Sequence, residues 1–486
     1  MKIKSRNFLV RLILFCIPVF MLFGCSDDSD KDVIVLRVSN WEEYIDEGEW
    51  DPEEDMIELA DGTVICPETS MIEDFENWFY ETYGRKVKVE YSTFGTNEEL
   101  YNQMSMGDTY DLVCPSEYMI MKLIAEDMLV PFSEGFYDET VETNYYAKGV
   151  SPYIKDVYDE LSINGHVLSE YAAGYMWGTL GIVYNPEIVS EEEASHWNLL
   201  LMDKYNRRVT IKDSVRDAYF AGNSIYNEAL ISSEAFLNSD TYKTDLDAIL
   251  NATDKKTIDA VEDILSDIKE NVYSFETDSG KADMVTGKVV ANQQWSGDAV
   301  YTLDQAEEDG VILCYSAPEE ATNLWFDGWC MIKSGIEGDA DKQLAAEAFI
   351  NFVSRPDNAV RNMYYIGYTS VISGGEDTTM FDYLDYCYGW DEESAAEEGI
   401  DTVEYSVGYF FTGDFLDEQD EETIEKYTIL TSEDQTRRQL FAQYPTEEVM
   451  KRSVVMEYFD KTENERINQM WLNVRCFDLY KFLGFD

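Results

Sequence analysis

Short stretches with strand character alternate with amphipathic helical stretches along most of this chain. Residues 33–38 form a β-branched run, and residues 87–91 alternate between apolar and polar side chains. Between them, a helix is predicted to begin after the capping residue Ser70 and to end at Gly84. Strands separated by helices favour parallel pairing, because a parallel connection has to cross the sheet. The alternation therefore predicts an α/β fold, and 486 residues suffice for two or more cores.

The amino terminus has the form of a secretory signal. Four basic residues precede an apolar run at residues 12–23, which is shorter than the roughly 20 residues that a spanning helix needs. The run leads into a Leu-Phe-Gly-Cys sequence ending at Cys25, which resembles the lipobox of bacterial lipoproteins. We therefore expect a cleaved signal peptide at residues 1–24, lipidation of Cys25, and a flexible tether at residues 25–32. The mature chain would then be exported and anchored to the outer face of the cytoplasmic membrane, or periplasmic; an uncleaved signal anchor is the alternative.

The net charge excludes whole classes of partner. The chain has 36 basic and 98 acidic residues, a formal charge of −62, and loss of the signal would make it more acidic still. Such a surface repels nucleic acid and anionic lipid, and it raises the encounter rate of cations. Solubility is the alternative reason for so many acids. Two acidic stretches, residues 46–67 and 392–425, interrupt the alternation and are expected to be surface insertions.

Signatures of common catalytic and metal chemistry are missing from the sequence. It contains no GxxxxGK[ST] or GxGxxG motif, no HExxH and no GxSxG. The two histidines, His166 and His196, lack a supporting motif, and the six cysteines after Cys25 form no CxxC pair. A glycosidase-like carboxylate pair cannot be selected among so many acids. We therefore expect no enzyme activity, no cofactor and no bound metal, with a surface carbohydrate-active enzyme as the alternative.

Seven segments, separated along the chain, are the remaining indication of function in the sequence. They combine aromatic, acidic and small polar residues and lie at residues 40–44, 110–118, 175–185, 213–217, 294–298, 324–327 and 366–368. Taken together, from about residue 33 to residue 375, they resemble the polyamine-binding proteins of bacterial spermidine/putrescine ABC importers. The Tyr-Asp-Leu-Val-x-Pro-Ser piece is shared with other extracellular solute-binding proteins, whereas the ordered set is more specific.

The resemblance implies a ligand cleft and the residues that line it. In the family, these are an early tryptophan with a following acid and tyrosine, a serine and tyrosine at a strand end, an acid of the second lobe, two later tryptophans, an anchoring acid and a tyrosine after Ile-Gly. The matching residues are, in chain order, Trp41, Glu43, Tyr44, Ser116, Tyr118, Asp217, Trp295, Trp325, Asp327 and Tyr368. Among them, Asp327 matches the acid that anchors an ammonium group.

The chemistry of a polyamine fits this set of residues. A polyamine is a flexible methylene chain with two or three ammonium groups, so its binding needs carboxylates at the charges and flat aromatic walls along the stem. A desolvated cation–π contact contributes about 0.5–2 kcal/mol, and a charge-assisted hydrogen bond roughly 1.5–3 kcal/mol. Both kinds of group are present in Glu43, Asp217, Asp327, Trp41, Trp295 and Trp325. For any single tryptophan, core packing is the alternative.

The resemblance also implies a two-lobed periplasmic-binding-protein-like fold with a hinge and a ligand cleft between the lobes. We expect strands to cross between the lobes near residues 178–179 and 325–326. The expected lobes are residues 33–178 plus 326–376 for lobe 1, and residues 179–325 plus 377–486 for lobe 2.

Capture and delivery are the expected activity. The ligand would close the lobes of a monomeric chain, which would then dock on the membrane permease and ATPase of an ABC importer. Two alternatives stay open: the same fold could bind a sugar, thiamine or ferric iron, or the chain could be a structural or adhesive lipoprotein.

Overall fold

The computed structural model describes residues 33–476. The predicted signal peptide at residues 1–24, the tether and the lipidation site at Cys25 lie outside the described residues. Within residues 33–476, no helix is both long enough and apolar enough to cross a membrane.

The strands are short except for a few long ones. Numbered in chain order, they are β1 Val33–Trp41, β2 Ile57–Glu58, β3 Val64–Ile65, β4 Lys86–Phe94, β5 Leu112–Val113, β6 Leu129–Val130, β7 Ser162–Ile163, β8 His166–Val167, β9 Ala172–Tyr184, β10 Val209–Lys212, β11 Ser274–Glu276, β12 Ala291–Trp295, β13 Cys314–Ser316, β14 Thr322–Ile332, β15 Thr369–Ser370, β16 Thr402–Ser406, β17 Thr428–Ser432 and β18 Ser453–Val454.

Helices fill most of the connections between the strands. They are α1 Met71–Tyr83, α2 Asn97–Met106, α3 Glu117–Ala125, α4 Tyr145–Gly149, α5 Pro152–Glu160, α6 Glu191–Ala194, α7 Val215–Ile231, α8 Glu234–Leu237, α9 Tyr242–Leu250, α10 Lys255–Asn271, α11 Ser279–Val285, α12 Ser296–Glu308, α13 Lys333–Ile336, α14 Ala340–Val353, α15 Pro356–Ile366, α16 Thr379–Tyr388, α17 Glu392–Glu398, α18 Gly408–Thr412, α19 Glu421–Lys426, α20 Gln439–Gln443, α21 Glu447–Lys451 and α22 Lys461–Arg475.

One 12-stranded sheet runs through the molecule in the order β11-β10-β12-β9-β14-β5-β1-β4, with β13 and β15 on β9 and with β6 and β18 on β14. At one end β1 pairs in parallel with β4 and β5, and at the other β10 pairs in parallel with β11 and β12. The strands between these groups pair antiparallel. The predicted α/β fold is therefore confirmed, with an antiparallel centre that the alternation did not indicate.

Two long strands connect the halves of this sheet. All 13 residues of β9 and all 11 residues of β14 are buried, as expected for strands covered on both faces. In their ladder Trp325 pairs with Gly178, and Leu324 pairs with Thr179. The two predicted crossings, far apart in sequence, thus lie side by side. The lobe boundaries themselves stay a prediction.

Local signals for helices and strands agree with the structure. The Ser70 hydroxyl accepts a hydrogen bond from the Glu73 backbone N–H at the start of α1. Gly84 ends this helix in the left-handed region with φ 65°, which costs glycine little. The apolar side chains Ile258, Val261, Leu265 and Ile268, which recur at helical spacing, are buried along α10. These features depend on neighbours in sequence, so periodicity and capping residues suffice to predict them.

Two large hydrophobic cores share the long strands. Residues of β9 up to Trp177 belong to the first core, whereas Leu180, Ile182 and Tyr184 belong to the second. A smaller third cluster packs around α12. The two-core organisation follows from the passage of β9 and β14 from one half of the sheet to the other.

The carboxyl-terminal part of the chain divides between the two cores. Most buried apolar side chains from Met380 to Met450 join the first core, and those from Val454 to Val474 join the second. The assignment of residues 377–486 to lobe 2 stays a prediction. In the part of the chain that the structure describes, most buried apolar side chains from Met380 to Met450 nevertheless pack in the same core as predicted lobe 1. Amphipathic patterns reveal that a helix has a buried face, but they do not reveal which core covers it.

The two acidic stretches are more than surface insertions. Asp46 is fully buried and pairs with the Arg361 guanidinium, and Trp50 donates a hydrogen bond to Asp46. In the other stretch, Val407 and Phe410 are completely buried in the first core. The expectation of surface insertions is therefore wrong for the residues of both stretches that pack inward, such as Trp50, Val407 and Phe410, because the high acidity of the stretches concealed them.

Candidate functional site

Asp327 is a buried acid near the middle of β14. Its carboxylate accepts a hydrogen bond from the Ser116 hydroxyl at 2.7 Å and another from the Tyr44 hydroxyl at 2.8 Å. Burial raises the pKa of Asp327 to about 6, although Ser116, Tyr44 and Trp41 favour the ionised form. These neighbours are neutral, so they hold the carboxylate in position without neutralising its charge.

The turn between β5 and α3 supplies Ser116, one of the two hydrogen-bond partners of this acid. Ser116 precedes the first residue of α3 and forms an isolated β-bridge with Asp327. The Asn97 side chain donates to the hydroxyls of Ser116, at 3.1 Å, and Tyr118, at 3.0 Å. The Arg216 guanidinium lies over the face of the Tyr118 ring, 4.8 Å from the ring centroid. This contact joins the part of the site around β5 to the amino-terminal end of α7.

Aromatic rings form a wall beside the carboxylate. The Tyr368 ring lies 5.3 Å from the Tyr44 ring and 5.6 Å from the Trp325 ring, measured between centroids. Glycines allow this packing, because a Cβ added at Gly178 would lie 2.6 Å from the Trp325 ring. A Cβ at Gly297 would lie 2.3 Å from the Tyr368 ring. The wall therefore depends on backbone that only glycine allows to approach so closely.

The early segment contributes Trp41 as well as Tyr44 to the site and leaves Glu43 outside. Trp41 ends β1, packs on Phe94 with 4.8 Å between ring centroids, and lies near enough to Asp327 to stabilise its ionised form. Glu43 lies in the following turn, with φ 54° and an exposed side chain. The predicted ligand role of Glu43 thus lacks the burial that the other two predicted acids have.

Asp217 and Trp295 form the predicted part of the site on the second core. Asp217 lies in the first turn of α7, where its backbone N–H donates to the Ser214 hydroxyl at 3.4 Å. The Trp295 indole N–H donates to the Asp217 carboxylate at 3.4 Å. Burial raises the pKa of Asp217, and the hydrogen bonds from Ser214 and Trp295 oppose that rise.

A buried ion pair beside Trp295 was not predicted from the sequence. The Lys212 ammonium lies 2.9 Å from the Asp298 carboxylate and 4.3 Å from the centroid of the Trp295 ring. Tyr368 donates its hydroxyl to the same carboxylate at 3.0 Å. Two signals could have revealed the pair: Lys212 is a charged residue that ends the apolar strand β10, and Asp298 ends the fifth of the seven segments.

Glu117 is a second functional candidate that sequence reasoning missed. It lies between Ser116 and Tyr118 at the start of α3, is 1% exposed, and accepts a hydrogen bond from the Phe326 backbone N–H at 3.3 Å. Burial raises the pKa of Glu117 to about 8, and the nearby Asp327 adds to the rise. At neutral pH this side chain is therefore mostly protonated.

One group of residues has donor atoms suited to a metal ion. His196, Glu228 and Glu320 each offer a ligand atom, and these atoms lie within 4.8 Å of one another. His196 and Glu320 are hydrogen-bonded at 3.0 Å. None of the three is among the predicted site residues, and their wide separation in sequence hid them from motif searches.

Nine of the ten predicted residues join in one network. Asp327 accepts hydrogen bonds from Ser116 and Tyr44, and Tyr368 connects the aromatic wall to Asp298. Trp41 joins the network through Asn40, which accepts from the Trp41 backbone N–H and donates to the Tyr44 carbonyl. The remaining predicted members, linked through Asn97, Lys212 and ring contacts, are Tyr118, Trp325, Trp295 and Asp217. Their roles in ligand binding stay predictions, whereas their assembly into one polar and aromatic site, with buried and half-buried members, is a feature of the structure.

Known proteins resemble this chain in sequence. The family model for bacterial extracellular solute-binding proteins matches residues 70–381. A spermidine/putrescine-binding periplasmic protein of Salmonella typhimurium is 25% identical over 350 residues, which cover 72% of this chain and 80% of that protein. A protein of the same name from Escherichia coli K12 is 26% identical over 284 residues, which cover 58% of this chain and 70% of the relative.

Solved structures resemble it in fold. PotD from Streptococcus pneumoniae, a spermidine/putrescine ABC transporter substrate-binding protein in complex with calcium and HEPES, has a TM-score of 0.56 and 26% identity, with 91% of this chain and 98% of PotD covered. The Tp0655 (TpPotD) lipoprotein of Treponema pallidum has a TM-score of 0.57 and 16% identity, with 91% and 99% covered. These neighbours confirm the two-lobed fold, and the relatives are binding proteins, as expected for a chain that is not an enzyme. The chain therefore belongs to the bacterial extracellular solute-binding protein family.

Proposed function

We propose that this protein captures a polyamine outside the cell and delivers it to an ABC importer. The observation that carries the proposal is Asp327, a buried carboxylate held by neutral hydroxyls next to an aromatic wall. The relatives named for spermidine and putrescine binding, at 25–26% identity, support the same ligand class.

The site offers a polyamine both kinds of contact that it needs. An ammonium beside Asp327 would gain a charge-assisted hydrogen bond in a position shielded from water, about twice as strong as a neutral one. The methylene stem would lie against Trp325, Tyr44 and Tyr368, and the ammonium could also contact a ring face for about 0.5–2 kcal/mol. A sugar would gain no comparable benefit from an unneutralised carboxylate in this position.

Isothermal titration calorimetry with putrescine and spermidine tests the proposal directly. We expect micromolar or tighter binding by the wild-type protein and a loss of at least about tenfold in Asp327→Asn, since one charge-assisted contact is worth roughly 1.5–3 kcal/mol. Asp309→Asn is the matched control, because Asp309 is exposed on the turn after α12. The proposal is wrong if wild type binds neither amine, or if Asp327→Asn binds as tightly as Asp309→Asn.

Competing solutes belong in the same experiment. Sugars, thiamine and ferric iron are the alternative ligands for this fold, and a thermal-shift screen ranks them against the amines because a ligand that binds only the native state stabilises it. A larger shift with any of these solutes than with either amine would transfer the proposal to that solute.

Delivery rests on closure of the two lobes around the ligand. Tyr118 and Arg216 already join the two sides of the site, and a ligand between Asp327 and Asp217 would add contacts across the same boundary. The closed monomer would then dock on the permease and its ATPase. Stimulation of a reconstituted importer by liganded protein, but not by Asp327→Asn with the same amine, is the expected outcome.

We also propose that a lipid at Cys25 holds the protein near the importer. The basic start, short apolar run and Leu-Phe-Gly-Cys ending support this assignment. Incorporation of labelled fatty acid into wild type and its absence in Cys25→Ala would support it. Equal labelling of the two, or the absence of label from both, would contradict the proposed anchor.

A further inference from the structure

Besides Glu117, which is 1% exposed, the site contains three buried acids, and one of these three differs from the other two in its partners. Asp217 and Asp327 are each 6% exposed, and Asp298 is 9% exposed. Within residues 33–476, ion pairs with lysine involve Asp298 but neither Asp217 nor Asp327. A buried carboxylate without a direct ion pair is costly, so Asp327 has most to gain from a cationic ligand. Asp217 gains as well, because Lys212 and Arg216 favour its ionised form without forming an ion pair with it.

Lys212 provides Asp298 with a cation from the chain itself. Its side chain is 1% exposed, and its ammonium donates to Asp298 at 2.9 Å and to the Thr277 carbonyl at 2.9 Å. The same ammonium lies 4.3 Å from the centroid of the Trp295 ring. A carboxylate, a carbonyl and an indole face are the groups that would recognise an ammonium of a bound amine.

Other residues complete the neutralisation of Asp298. The Lys281 ammonium lies 3.5 Å from its other oxygen, and the Tyr368 hydroxyl donates to that oxygen at 3.0 Å. Burial alone would raise the pKa of Asp298, but the ammonium groups of Lys212 and Lys281 hold it below its ordinary value. Asp298 therefore stays ionised and already has its cations.

Trp295 places this ion pair inside the candidate site. Its ring faces Lys212, while its indole N–H donates to Asp217 at 3.4 Å. On the other side, Tyr368 links Asp298 to the aromatic wall beside Asp327 through the Tyr44 ring. A ligand lying between Asp327 and Asp217 would consequently meet Lys212 where it would otherwise meet the carboxylate of Asp298.

We propose that Lys212 acts as a built-in ammonium group that occupies one cation position and restricts the ligand to two positive charges. The inference rests on the proposed function and sharpens it. Asp327 and Asp217 remain for the ligand, so a linear diamine is preferred to a triamine. A third ammonium would have to be buried near Lys212 and Lys281, where like-charge repulsion opposes it and Asp298 is already paired.

Calorimetry with the diamine putrescine and the triamine spermidine tests this specificity. Wild type is expected to bind the diamine at least about tenfold more tightly than the triamine, a difference of roughly 1.4 kcal/mol. In Lys212→Met, which keeps the length of the stem but removes the charge, Asp298 becomes available and the preference should shrink by about tenfold through tighter spermidine binding. Lys255→Met is the control, because Lys255 is an exposed lysine paired with Asp259 on α10.

The outcomes distinguish a failure of the proposed function from a failure of the proposed role of Lys212. If wild type binds neither amine, the proposed function fails; if it binds both but Lys212→Met keeps the wild-type preference, only the role of Lys212 fails. A wild-type preference for spermidine would also overturn the inference. The double variant Lys212→Met/Asp298→Asn removes both charges, and it is expected to remain folded without gaining affinity for spermidine.

If Lys212→Met does not fold, the variant Lys281→Met tests the inference instead. Lys281 is 24% exposed and lies farther from Asp298, so its removal leaves the buried pair intact. We expect the preference for the diamine to weaken in the same direction but by less, about twofold to threefold. An unchanged preference in a folded Lys281→Met protein, measured alongside Lys255→Met, would then decide against the inference.

Discussion

Asp327 is an acid whose surroundings both desolvate it and hold it in place. Burial favours its neutral form, while the hydroxyls of Ser116 and Tyr44 favour the carboxylate. The balance leaves its pKa at about 6, against an ordinary value of 3.8. Such an acid is charged at neutral pH but can be protonated under mild acidity, so it couples ligand binding and folding to pH.

The pH dependence of stability should reveal this coupling. Because the native state binds the Asp327 proton more tightly than the unfolded state does, the stabilising effect is present below pH 4 and is lost as the pH rises through about 6. A pKa difference of about two pH units corresponds to roughly 3 kcal/mol. We expect urea unfolding without ligand to show wild type losing about this much stability relative to Asp327→Asn between pH 4 and pH 7.

The comparison with Asp327→Asn removes the contributions of buried acids that do not interact with Asp327. Glu117, whose pKa is raised to about 8 mainly by burial and also by Asp327, titrates on unfolding in both proteins, with a smaller rise expected in Asp327→Asn. A stability difference that stays constant from pH 4 to pH 7 would show that the native and unfolded states bind the Asp327 proton equally well.

Helices and strands show where local sequence is sufficient and where it is not. The cap at Ser70 and the left-handed stop at Gly84 could be predicted because each depends on residues within a few positions. The packing of Trp50 and Phe410 into the first core could not, since their stretches have acidic neighbours and no regular period. The many acidic residues of a segment indicate that part of it faces solvent, but they do not indicate which few of its side chains are buried.

Because β9 packs closely against β14, we expect a substitution at Gly178 to destabilise the protein. A Cβ there would lie 2.2 Å from the Ser296 hydroxyl and 2.6 Å from the Trp325 ring, so both side chains would have to move. We expect Gly178→Ala to cost about 1–3 kcal/mol of unfolding free energy, as overpacking commonly does, and to weaken amine binding by displacing Trp325. Chemical unfolding and calorimetry measure the two effects.

Gly135→Ala is the matched control for this substitution. Gly135 is exposed, and a Cβ there would meet only the Ser133 hydroxyl, at 3.8 Å. Its replacement should change stability by no more than about 0.5 kcal/mol. Equal effects of the two substitutions would contradict a tight approach of the strands at Gly178.

At the scale of the whole molecule, two cores share one sheet and the candidate site lies where the long strands pass between them. Asp327 on β14 and Ser116 contact each other from one side, while Asp217 and Trp295 lie on elements that pack on the second core. The chain around this site carries a formal charge of −62. Its field extends beyond the site and acts on a cation before contact.

The charge predicts that cation capture depends on salt. Raising ionic strength from 0.01 M to 0.15 M shortens the Debye length from about 30 Å to about 8 Å, so we expect the association rate constant of a diamine to fall by roughly tenfold. Stopped-flow tryptophan fluorescence can follow the reaction, because Trp295 and Trp325 lie in the site. The dissociation rate constant, which depends on the shielded contacts, should change much less; an association rate constant insensitive to salt would exclude electrostatic steering.

The amino-acid sequence by itself determined the α/β class, the helix ends at Ser70 and Gly84, and nine of the residues that meet in the site, but not Asp298 or Glu117. These properties are encoded in local periodicity, in the conformational preferences of single residues and in ordered motifs. Tertiary structure alone decided that residues 380–450 join the first core and that Lys212 pairs with Asp298, 86 positions later in the chain. Such contacts depend on strand order and on which surfaces bury one another, and neither is written in the spacing of residues along a single segment.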